Sequence, residues 1–293
     1  MAITVNTNTS AIIAQNNLVK SNDSLNKVLQ QLSTGKRINS AKDDAAGLAI
    51  SIGMANQIQG NSRAADNIQD GLNLMTTAEG GMSAITGHLN RVRELCVQAA
   101  NEIYNTQNKI AILNEIKQRI SDVDIQAKSF NFNNIKLLDG SKTSLKLQFG
   151  SGTNASFNSL DIGPALSNMC ISSGGIDVEL KVTTSATPVA GYTSVSAWDS
   201  TQIMSYMDKI DKALATITQD RSTLGAYSNR LEANYQNLLD ANENIQQSKS
   251  RVLDVDMAKA STDMVKYQIL QQSTTAVLSQ ANQVPQLALK LLQ

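Results

Sequence analysis

Across residues 203–255 apolar side chains return every three or four positions: Ile203, Tyr206, Ile210, Ala213, Ile217, Leu224, Tyr227, Leu231, Leu238, Ala241, Ile245, Val252 and Val255. Polar Asp220, Asn234 and Ser248 fill the missing steps, and Gly225 is the only interruption. A repeat averaging about 3.5 residues holds one stripe against a partner helix, as in a coiled-coil seam. As a single helix the stretch would be roughly 80 Å long. So narrow a stripe cannot form a core alone, and the rest of the chain must supply partners.

The same rhythm opens the chain at Ala11, Ala14, Leu18, Ser21, Leu25, Val28 and Leu32, and Gly35 stops it as a natural left-handed residue after a helix. A polar connector, residues 36–42, leads to Asp43-Asp44, acids suited to the positive end of a new helix. That helix carries its seam at Ile68, Leu72, Met75, Glu79, Met82, Ile85, Leu89, Val92, Cys96 and Ala99, with Gly80-Gly81 expected to weaken it. After a break at 101–108 a third helix reads Leu113, Ile116, Ile120, Val123 and Ala127. Between 130 and 200 the period changes to two. Leu145, Leu147 and Phe149 alternate with Lys146 and Gln148, and Ile176, Val178, Leu180 and Val182 with charged neighbours, as in half-buried strands. Turns are expected at 150–152 and 172–175.

Beyond Val255 the stripe slips by five residues to Ala260, so residues 256–259 read as a hinge that mirrors the connector at 36–42. The last helix then runs Ala260, Asp263, Tyr267, Leu270, Thr274, Val277, Ala281, Val284, Ala288 and Leu291, with Pro285 expected to strain or end it. The fold class is mainly α: nested long antiparallel helices, a coiled-coil-like bundle, with a small β-rich insertion. Residues 1–43 form one half of an inner domain and 256–293 the other. Residues 44–140 and 200–255 are the two halves of the helical bundle, and 141–199 its insertion. The terminal stripes are too narrow to offset the entropy of ordering about 70 residues. They are therefore expected to be disordered in the monomer and to fold on association. The seam so completed is expected at Leu18, Leu25, Val28, Leu32, Leu270, Val277, Val284 and Leu291.

Composition narrows the function. Acidic and basic residues balance at 25 each, which argues against nucleic acid or an anionic membrane as partner. Aromatics are 4% of residues, fewer than enzyme cores of this size carry, and none precedes Tyr104. Cys96 and Cys170 have no metal or redox spacing and read as small hydrophobes. A single histidine, His88, leaves no His-pair metal site, and no nucleophile elbow accompanies it. Gly35-Lys36-Arg37 lacks the rest of a phosphate loop. No catalytic residue, metal or cofactor is expected. The first residues lack the charged and apolar regions of a cleaved secretory signal.

Several blocks carry a family resemblance. Residues 32–47, Leu-Ser-Thr-Gly-Lys-Arg-Ile-Asn-Ser-Ala-Lys-Asp-Asp-Ala-Ala-Gly, resemble the N-terminal signature of bacterial flagellins, and 90–98 resemble a second block of that family. Gln268-Ile269-Leu270-Gln271-Gln272 and the block from Gln280 through Val284-Pro285-Gln286 are similar to its C-terminal signature. The resemblance implies a structural subunit that polymerises with itself into the flagellar filament, its terminal helices forming the filament core. It implies export in unfolded form through the flagellar type III apparatus, an extracellular location, and encounters with an export chaperone, cap and junction proteins. Only about 60 residues stand where relatives carry large outer domains, so no separate outer domain is expected. The family's contacts with a Toll-like innate receptor match Arg91, Leu95 and Glu115, with Cys96 beside them in place of the usual alanine. A hook–filament junction protein, which shares the terminal-helix plan, is the alternative; the block through Gln286 favours a flagellin.

Overall fold

The computed structural model describes residues 7–152, 158–171 and 200–291, with side chains as far as 283. Its long helices are α1 (Thr9–Thr34), α2 (Ala45–Ala99), α3 (Thr106–Ser129), α4 (Ser200–Leu253) and α5 (Met257–Leu291). Two antiparallel two-stranded sheets interrupt them: β1 (Asn131–Phe132) with β2 (Ile135–Lys136), and β3 (Lys146–Gln148) with β4 (Ser159–Asp161). A 3-10 turn, Gly163–Ala165, follows. The mainly helical class expected from the periodicity is thus what the chain adopts, and no separate outer domain stands among the described residues. The alternating stretch at 176–182 and the turn at 172–175 lie outside them.

The helices start where a side chain can cap them. Asn8, Asp44 and Asn105 each accept from the backbone N–H three residues on, at 3.0, 2.9 and 2.9 Å. Asp256 accepts from Ala258 N–H and Lys259 N–H at 3.0 and 3.1 Å. Gly35 closes α1 at φ 69°, a left-handed conformation that glycine adopts without a Cβ penalty.

The chain divides into two units, Met1–Gln59 with Asn242–Gln293, and Gly60–Ala241. In the second unit the expected seams form the core, except that Glu79 of the α2 seam is exposed and Ala78 is buried at that turn instead, because Glu79 pairs with Arg221 on the rim. From α2, Ile68, Met75, Met82, Ile85, Leu89, Val92 and Cys96 are buried; from α4, Ile203, Ile210, Ile217, Leu224 and Leu231 are; from α3, Ile116, Val123 and Ala127 are. Ion pairs on the rim run across antiparallel α2 and α4: Arg93 Nε to Asp211 Oδ1 at 2.6 Å and Arg221 Nη2 to Glu79 Oε1 at 3.3 Å. Gly81 does not break α2. Its missing side chain admits Leu138 and Phe130, whose carbons would lie 2.7 and 2.9 Å from an added Cβ. Leu145, Leu147 and Phe149 turn inward around β3 as their alternation indicated.

In the first unit α1 and α5 pack antiparallel. The connectors pair by backbone: Arg37 N–H donates to Leu253 O at 2.7 Å and Val255 N–H to Gly35 O at 3.0 Å. The Arg37 guanidinium also donates to Val252 O at 2.7 Å, at the carbonyl end of α4. Of the two outcomes expected at Pro285, strain or an end to the helix, the end does not occur: α5 runs on to Leu291. Proline has no N–H for the Ala281 carbonyl four residues back. Asn8 Nδ2 supplies that hydrogen bond instead, at 2.8 Å.

Candidate assembly surface

Two small-residue faces meet where α1 lies on α5. The buried residues of α1 are Ala14, Ser21 and Val28, and those of α5 are Ala260 and Ala281. Ser21 Oγ donates to Tyr267 O at 3.3 Å between them. Small side chains let the backbones approach, but they remove little apolar surface from water. At roughly 25 cal/mol per Å² such a seam stabilises weakly against the entropy of ordering both helices.

Apolar residues also point away from the pair. Ile12, Ile13, Val19 and Leu29 on α1 are 43–61% exposed, and Met257, Val265, Ile269, Leu270 and Val277 on α5 are 43–57% exposed. A helix that is apolar on more than its packed face has a second face to bury. Ile13, Ala14, Tyr267, Leu270 and Val277 line an open groove of about 500 Å³ along the pair, with Lys20 at its edge.

This arrangement divides the eight residues expected at the terminal seam. Leu18, Leu25 and Leu32 are half-buried and Val28 is buried, all facing into the unit. Leu270 and Val277 are instead 43% and 57% exposed. From 271 to 278 the half-buried positions are Gln271, Thr274 and Leu278, of which Thr274 belongs to the expected stripe and the other two lie one position past Leu270 and Val277. Two of these three are polar, so the less exposed side of α5 is not its most apolar one. The side chains of Val284 and Leu291 lie beyond the described ones. Sequence reading missed the outward residues Ile12, Ile13, Val19, Val265 and Ile269. Their signal was present: they are large apolar side chains off the three-four stripe.

Of the three positions carried over as receptor contacts, Arg91 and Glu115 come together, Nε to Oε1 at 3.2 Å, and Arg91 also holds Glu94 at 3.0 Å. Those carboxylates raise the Arg91 pKa further above its ordinary value. Leu95 is not beside them on the surface: it is 2% exposed, packed in the core of its unit. Cys96 is buried too, and burial pushes its thiol up to about 12. His88 meets Gln126 at 3.1 Å between α2 and α3. Among the described residues no group of three His, Cys, Asp or Glu could hold a metal ion, and no helix is long and apolar enough to cross a membrane.

Comparison with known proteins agrees with the residue blocks. Residues 5–143 match the family model of the bacterial flagellin N-terminal helical region, and 207–292 that of the C-terminal helical region. The chain is 38% identical over 289 residues to a flagellin of Halalkalibacterium halodurans, covering 98% of this chain and 99% of that one. It is 38% identical over 309 residues to a flagellin of Bacillus subtilis, with the same coverage. Among solved structures, a Vibrio parahaemolyticus protein described as flagellar hook-associated shares the fold, with a TM-score of 0.56 at 12% identity over 72% of this chain and 100% of that one. Family membership also means a structural role and not an enzymatic one. The chain belongs to the bacterial flagellin family, the self-polymerising subunits of the extracellular flagellar filament.

Proposed function

We propose that this chain joins its neighbours in the filament through the outward faces of α1 and α5, and that these helices order only as the neighbours arrive. The observation that carries the reading is the row of exposed apolar side chains on a helix pair whose buried described residues are only Ala14, Ser21, Val28, Ala260 and Ala281, with Leu18, Leu25, Leu32 and Leu278 half-buried beside them. Weak internal packing keeps the ends loose, and burial of Ile12, Ile13, Ile269 and Val277 between copies supplies the missing apolar area. A chain with loose ends suits unfolded export through the flagellar type III apparatus without a cleaved signal. It also suits hand-over from an export chaperone to the cap at the growing tip, after the junction proteins. The inner domain is then 1–43 with 256–293, and the bundle is 44–140 and 200–255 with its 141–199 insertion.

Seeded elongation tests the reading. Val277→Asp would place an unpaired carboxylate in every inter-subunit contact, at several kcal/mol each. The variant is expected to leave thermal unfolding of the Gly60–Ala241 unit unchanged and to abolish elongation; normal filaments would overturn the reading.

A second surface, the exposed Arg91–Glu115 pair, is the part of the receptor motif available to a partner. Arg91→Ala is expected to lower activation of a Toll-like receptor by the monomer at least about tenfold, as loss of a charge-assisted contact would. Unchanged activation would exclude the pair as the contact.

A further inference from the structure

We propose that Asn8 and Pro285 act together as a lock that sets the register of α1 on α5 in the assembled subunit. The inference rests on the reading that the terminal helices order in the filament, and it says what fixes their alignment once they do.

Each half of Asn8 has its own task. Its Oδ1 accepts from Ala11 N–H at 3.0 Å and so caps α1. Its Nδ2 donates to the Ala281 carbonyl at 2.8 Å, across 273 residues of sequence. Within a helix that carbonyl would accept from the N–H of residue 285, and Pro285 has none. Ala281 is 9% exposed, so its carbonyl is shielded from water and would otherwise go unsatisfied. Inside an uninterrupted helix the neighbouring carbonyls already accept from the N–H four residues on. Slide α5 by one residue or one turn, and Asn8 meets carbonyls that are already engaged while Ala281 O is left bare. A second tie between the helices, Ser21 Oγ to Tyr267 O at 3.3 Å, reaches a carbonyl with a helical partner of its own. That bond adds cohesion without singling out a register. One proline therefore marks one carbonyl, and one asparagine at the start of α1 reads the mark.

The test is a double-mutant cycle in full-length chains, read as the critical concentration for elongation from seeds. Asn8→Asp keeps the capping oxygen and loses the donor. With Pro285 in place it is expected to raise the critical concentration about two- to tenfold, the range of one net hydrogen bond. Pro285→Ala returns an N–H to Ala281 O, and in that background the same Asn8→Asp change is expected to have less than about a twofold effect. Elongation lost in Asn8→Asp and rescued by adding Pro285→Ala would support the lock equally. Equal fold-changes in both backgrounds, or loss in both, would overturn it. Normal elongation of Val277→Asp would remove the assembly surface itself, whereas loss there with an additive cycle would remove the lock alone.

Discussion

Asp43 shows how much a single side chain organises in the connector between α1 and α2. Its Oδ1 lies 2.9 Å from Lys27 Nζ, and its Oδ2 accepts from the N–H groups of Asn39 and Ser40 at 3.3 and 3.1 Å. The Lys27 ammonium first, and then these backbone donors, hold the carboxyl down at about 2. A native value below the unfolded one means stability that is complete above about pH 4 and lost as the pH falls toward the native value. Protection of the amides of residues 36–42, the slowing of their exchange relative to an unstructured chain at the same pH, is expected to fall as the pH drops from 5 to 2. Asp43→Asn should show lower protection already at pH 5 and little further change; parallel protection profiles would contradict this role. The sequence marked this acid as a helix opener, but Asp44 caps α2 and Asp43 ties the connector. Adjacent identical residues gave no local cue to which would do which.

On the scale of elements, legibility followed whether apolar character and burial coincide. Along the predicted α4 stripe they do: every position is buried or half-buried, Asp220 included, while Met204 and Leu239 lie exposed off it. In α5 they part: polar Gln271 and Thr274 are half-buried while Leu270 and Val277 are 43% and 57% exposed. Hydropathy cannot mark a polar inward face. The β1–β2 hairpin escaped notice since its strands are two residues each; its signal was Asn133-Asn134, at φ 47° and 64°. The buried carboxyl in the α4 stripe has a measurable consequence. Asp220 is 9% exposed, its Oδ2 has no hydrogen-bond partner, and adjacent Arg221 is turned to Glu79. Burial raises its pKa, opposed only by the Ser167 hydroxyl. The native state then binds the proton more tightly than the unfolded chain, so stability is fullest below about pH 4 and falls as the pH rises through the native value. Asp220→Asn is expected to match the parent in acid and to exceed it in thermal stability at pH 7. A parent more stable than the variant at pH 7 would refute the assignment.

For the whole molecule, the two units have different sources of stability. The Gly60–Ala241 unit buries large side chains from three helices, among them Ile68, Met82, Leu89, Ile116, Ile203 and Ile210. The unit formed by the two ends buries mostly alanine and serine in its helix seam and leaves large side chains outside. On the proposed reading such a subunit is stable in its middle and is completed at its ends by neighbouring copies. Hydrogen exchange of α1 (Thr9–Thr34) and α5 (Met257–Leu291), compared between dilute monomer and seeded filament, reads this difference directly. Rapid exchange throughout both helices in the monomer and strong protection in the filament is the predicted result. Equal protection in both states would contradict the claim that neighbouring copies complete the ends.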